Sequence, residues 1–100
     1  MTSDLICPTC PVGAQASPNP FRSVTTIEFG VPRAGPVEIN IYDVAGKRVR
    51  KLVSKNLNAS MHKRSWDGRN NQGRKVPVGI YIAKIRIGSD IVTRKLVLLR

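Results

Sequence analysis

Apolar residues recur at every second position in several short runs of this chain, which is the period of a half-buried strand. In Thr26-Ile27-Glu28-Phe29-Gly30-Val31, the side chains of Ile27, Phe29 and Val31 share one face. Pro32 to Pro36 interrupts the pattern, and Val37-Glu38-Ile39-Asn40-Ile41 resumes it before a turn at Asp43-Val44-Ala45-Gly46. Lys47 to Val53 predicts a third strand with an irregularity, because Val49 and Leu52 are three positions apart and cannot share a face on a regular strand. A bulge near Lys51, or a bend there, would reconcile them. His62, Arg64 and Trp66 fall on one face of a fourth strand, with Lys63 and Ser65 on the other. The clearest alternation runs from Gly79 to Ile87 and turns Tyr81, Ala83, Ile85 and Ile87 toward a core. Gly88-Ser89-Asp90 then leads into a last strand from Ile91 to Leu99, just before Arg100.

No segment sustains a helical period. Short strands punctuated by glycine, proline and asparagine predict an all-β antiparallel sandwich of about six to seven strands. One hundred residues is room for a single domain. Residues 1–20 carry four prolines and no apolar periodicity. They are expected to form a flexible Pro-rich tail or linker, disordered ahead of a sandwich over residues 21–100.

The only tryptophan opens the stretch Trp66-Asp67-Gly68-Arg69-Asn70-Asn71-Gln72-Gly73. Asp and Asn bond their own main chain and glycine takes positive φ, so this composition suits a long hairpin between the Trp66 strand and the Ile80 strand. A calcium loop built on Asp67, Asn70 and Asn71 is the rival reading. Calcium asks for six to eight oxygens, and a single carboxylate among arginines is a poor start. Trp66 with Tyr81 could form a stacking pair for a ligand. A lone indole on an alternating strand is better read as packing between two sheets.

Charge changes the picture more than any motif does. Seventeen Lys and Arg against six Asp and Glu leave a net charge of +11, with a pI near 10.7. Such a surface attracts anionic partners: nucleic acid, lipid headgroups, acidic polysaccharide or an acidic protein face. Lys47, Arg48, Arg50, Lys51 and Lys55 cluster on one hairpin, and Lys63, Arg64, Arg69, Arg74 and Lys75 surround the tryptophan loop. Lys84 and Arg86 are expected on the outer face of their strand, with Lys95 beside them if the last strand pairs with it. Part of this charge serves to keep strand edges from pairing with other chains. Aromatic residues are only 5%, which leaves little for stacking bases, so a nucleic-acid module ranks third among the functional readings.

Candidate chemistry is thin. Cys7 and Cys10 have metal-site spacing but make half a ligand set, with His62 the one typical further partner. They stand as weak metal candidates only, and no metal or cofactor is expected. His62 has no carboxylate near it in sequence, and Ser60, Ser65 and Ser89 lack a nucleophile-elbow signature. The chain reads as non-enzymatic, with no catalytic residue assigned. The first ten residues lack a basic region followed by an apolar core, so no signal peptide is read there, and no run of eighteen apolar residues could span a membrane.

Several motifs occur in an order that resembles a known family. They are Pro18-Asn19-Pro20-Phe21 ahead of a Thr-Thr-Ile strand, then Tyr42-Asp43-Val44-Ala45-Gly46-Lys47-Arg48-Val49. Trp66-Asp67-Gly68 with Gly73 follows, then Val78-Gly79-Ile80-Tyr81, and last the basic-apolar ending Thr93 to Arg100. Over residues 18–100 the chain is similar to the Ig-like domain shared by flagellar hook-capping (FlgD-type) proteins and the C-terminal sorting domains of type IX secretion cargo. Val78 stands where that family usually has serine, and Arg64 where it is usually apolar.

The resemblance implies an Ig-like β-sandwich acting as a non-catalytic sorting or attachment module. It would be carried by a longer exported protein whose cargo lies upstream, and would be found outside the cell or at its surface. It implies partners in the secretion machinery, or an acidic protein or polysaccharide surface. Lys84, Arg86, Lys95, Leu96, Val97, Leu98, Leu99 and Arg100 become the sorting or docking candidates. Trp66, Asp67, Gly68, Gly73, Gly79 and Tyr81 become the structural motif. A scaffold domain like that of the hook-capping proteins is the alternative.

Overall fold

The computed structural model describes residues 13–99. Seven strands follow one another: β1 (Ala14–Ser17), β2 (Thr25–Val31), β3 (Gly35–Asp43), β4 (Arg48–Leu57), β5 (Ser60–Trp66), β6 (Gly79–Ile87) and β7 (Asp90–Leu98). They form two antiparallel sheets, one in the order β1-β2-β5 and the other in the order β4-β3-β6-β7. No helix occurs among the described residues. The fold is an all-β, Ig-like antiparallel sandwich.

Alternation decides which side of each strand is buried. Ile27, Phe29 and Val31 of β2 face Val37, Ile39 and Ile41 of β3 and Ala83, Ile85 and Ile87 of β6 across the sandwich, and all are buried. Leu96 and Leu98 of β7 complete the layer. Each of the valine, isoleucine, leucine and phenylalanine side chains contributes about 1.5–3 kcal/mol by leaving water, and a core of this kind is what holds so small a domain together. The irregularity in β4 takes the form of two register shifts. Leu52 is skipped between the pairs Ile39–Val53 and Asn40–Lys51, and Val49 between Ile41–Arg50 and Tyr42–Arg48. These bulges let Val49 and Leu52 both pack against the core despite their three-residue spacing.

Two expectations change. Ala14–Ser17, placed in the linker by composition, form β1 and pair with Phe29 to Thr26 of β2. Two alanines with prolines close by carry too little apolar signal to be read as a strand, and the pairing with β2 supplies what the local sequence lacks. The stretch after Trp66 is not a hairpin, because β5 and β6 belong to different sheets. Its turn chemistry serves a crossover from one layer to the other. Cys7, Cys10 and Arg100 lie outside the described residues.

Candidate docking surface

The crossover is held by its own polar side chains. Trp66 is fully buried, with Phe21 and Tyr81 at ring-centroid distances of 5.6 and 5.3 Å, the latter edge-on. Its indole Nε1–H donates to the Arg69 carbonyl at 2.9 Å, and the Tyr81 hydroxyl donates to the Pro77 carbonyl at 2.6 Å. Two buried aromatics thus tie the loop down at both ends through their polar tips. Asp67 Oδ1 accepts from the Arg69 amide, and Asn70 Oδ1 accepts from the amides of Gln72 and Arg74. Gly68 and Gly73 have φ of 73° and 80°, left-handed values that a side chain would strain. The oxygens that made a calcium loop conceivable are hydrogen-bonded to main-chain amides. Trp66, Asp67, Gly68, Gly73 and Tyr81 form one structural unit, with Gly79 at the start of β6.

Two asparagines close the edges of the four-stranded sheet. At β4, the Asn71 amide donates to the Val49 carbonyl at 3.2 Å and its Oδ1 accepts from the Lys51 amide at 3.0 Å. At β7, Asn19 Nδ2 donates to the Lys95 carbonyl at 2.7 Å and Oδ1 accepts from the Val97 amide at 3.0 Å. Each asparagine makes the pair of bonds that a further strand would make, which removes a template for edge-to-edge association. Phe21 extends the second closure, donating to Val97 and accepting from Leu99. Arg94 Nε reaches the Ala14 carbonyl at 2.6 Å and joins β7 to β1 across the sandwich. The Pro18-Asn19-Pro20-Phe21 motif is the signal that marked Asn19, and Asn71 stood out only as a turn residue and calcium-loop candidate, not as an edge closure.

The outer face of the four-stranded sheet gathers the predicted docking cations. Antiparallel pairing sets Lys84 between Asn40 and Thr93, Arg86 between Glu38 and Ile91, and Ile82 between Tyr42 and Lys95. Lys84, Arg86 and Lys95 are exposed and share this face. The one ion pair among the described residues is Arg69–Asp67 at 3.7 Å, so these three cations have no carboxylate partner there. Leu96 and Leu98 are fully buried and cannot be touched by a partner while the domain is folded. Val97 is half-buried and Leu99 is 42% exposed. Arg64 and His62 point inward at the rim of β5, where His62 stacks on Phe29 at 5.7 Å. Val78 is exposed. No group of three or more metal-ligating side chains occurs among the described residues, and no helix there is long and apolar enough to cross a membrane.

The model of the FlgD Ig-like domain matches residues 21–89. The chain belongs to the FlgD Ig-like domain family. A sandwich of similar fold also appears in solved structures. One is PorZ, an essential bacterial surface component of the type-IX secretion system of Porphyromonas gingivalis. It is similar at 23% identity and a TM-score of 0.59, over 88% of this chain and 12% of that one. Another is dimeric latent PorU from Porphyromonas gingivalis, similar at 20% identity and a TM-score of 0.60, over 86% of this chain and 9% of that one. At these identities the likeness is one of fold, and the FlgD-type chain spans about a tenth of each of these much longer proteins. No curated protein matches the sequence.

Proposed function

We propose that this FlgD-type Ig-like domain is a non-catalytic sorting or attachment module of an exported bacterial protein, read by type IX secretion machinery. The observation that carries the reading is the outer face of the four-stranded sheet. There Lys84, Arg86 and Lys95 are exposed side by side and have no carboxylate partner among the described residues. The similarity in fold to PorZ, a surface component of that secretion system, supports the setting. The readable end of β7 is limited to Lys95, Val97 and Leu99, with Arg100 beyond them, because Leu96 and Leu98 belong to the core. On this reading the cargo precedes the module in a longer chain, and the module works at the cell surface or outside it.

The test is a fusion. The full chain is placed behind a passenger that carries its own export signal, in a bacterium with a type IX system. The passenger should reach the cell surface. Retention in the periplasm, with the domain folded, contradicts the proposal. A second reading, favoured by the family match itself, is a scaffold domain that braces an extracellular assembly. That reading predicts surface or filament components co-purifying with the domain and no effect on passenger export.

A further inference from the structure

We infer that the outer face of the four-stranded sheet binds an acidic protein segment that also carries aliphatic side chains. The inference rests on the module reading above for its setting, and names the chemistry the face accepts. The surface is not a uniformly polar one. Ile80 and Ile91 are 44% and 54% exposed, and Ile82 is half-buried beside them, on the same side of the sheet as Lys84, Arg86 and Lys95. Exposed aliphatics interleaved with cations suit a protein partner, whose apolar side chains can cover the isoleucines while its carboxylates meet the cations. Glu38 lies directly opposite Arg86 yet forms no ion pair with it, so among the described residues the guanidinium has no carboxylate partner.

The second observation is Asn40. It is only 6% exposed although it sits on the outer face, and its Oδ1 finds no hydrogen-bond partner among the protein atoms. It lines a cavity of about 60 Å³ with Glu38, Tyr42, Lys84, Arg86 and Ile91. A buried acceptor without a donor is costly, and because this oxygen is shielded from solvent a bound peptide's N–H would satisfy it only by displacing the side chains around it. The cavity lies between Asn40 and the two cations Lys84 and Arg86. Tyr42, half-buried at this cavity, is the one aromatic side chain on the face, which leaves little for sugar rings or bases to stack on. These features favour an acidic peptide over a polysaccharide or nucleic acid.

The test measures binding of the full chain, near physiological ionic strength, to four probes. These are a short synthetic peptide of glutamates and leucines, a matched peptide of glutamates and serines, polygalacturonate, and duplex DNA. The glutamate-leucine peptide should bind at least about tenfold more tightly than the other three. Lys84→Glu with Arg86→Glu should weaken it by about tenfold or more, and Lys84→Gln with Arg86→Gln by a smaller factor. Asn40→Leu should weaken peptide binding while the melting temperature holds or rises, an opposition that a merely structural role would not produce. Equal or tighter binding of any of the other three probes overturns the inference, as does peptide affinity unchanged across these variants. Peptide selectivity in a cargo whose export ignores the Lys84→Glu and Arg86→Glu changes would reject the sorting reading and keep this one. Lost export without peptide selectivity would do the reverse.

Discussion

Replacing Asn19 by alanine removes two hydrogen bonds and leaves the Lys95 carbonyl and the Val97 amide to water at the edge of β7. The expected loss is about 1 kcal/mol, because both groups can be resolvated. The Val97 amide, which loses its acceptor, should exchange its proton with solvent markedly faster, as hydrogen exchange would show. An unchanged rate would mean that Asn19 does not close this edge. Asn71 plays the matching part at β4, where its own amide and side chain bond Val49 and Lys51. Residue-scale roles of this kind give the polar side chains of these segments a structural task. Trp66 belongs with them, since its ring is core and its Nε1–H fastens Arg69.

At the scale of elements, β7 is both a core strand and part of the candidate surface. Leu98→Ala should cost about 2–5 kcal/mol, a large share of the stability of so small a domain. Denaturant melts would check this, and a change below 1 kcal/mol would contradict the buried place assigned to that side chain. It follows that cutting off residues 95–100 would unfold the domain, so a loss of export after truncation reports folding and not recognition. Most of these strands were legible in the sequence. Ile39 and Ile85 sit in runs whose alternation leaves one solution for the buried face, and the three-residue spacing of Val49 and Leu52 pointed to the irregularity in β4. Other features were not legible for physical reasons. β1 is built from Ala14 and Ala16, which bury too little surface to leave a pattern. The crossover after Trp66 uses the same Asp, Asn and Gly positions that a hairpin uses, and turn chemistry does not say which sheet the next strand joins. Lys84 and Arg86 could be placed on an outer face by alternation alone. The buried carbonyl oxygen of Asn40 could not, because it depends on neighbours from two adjoining strands.

For the whole molecule, a charge of +11 is set against a single ion pair among the described residues. Some of the cations lie along β4 and around the crossover, where they discourage association with like-charged copies. Others stand on a sheet face that also exposes isoleucines, the combination on which the proposed docking role rests. The most direct measurement compares two passengers exported from the same cell, one ending in the natural chain and one carrying Lys84→Glu, Arg86→Glu and Lys95→Glu together. All three side chains are exposed, so the melting temperature of the domain should be nearly unchanged. Surface labelling should show the substituted passenger at about a tenth of the natural level or less, the effect of placing like charges across an interface. Equal surface levels with the fold intact would contradict the account.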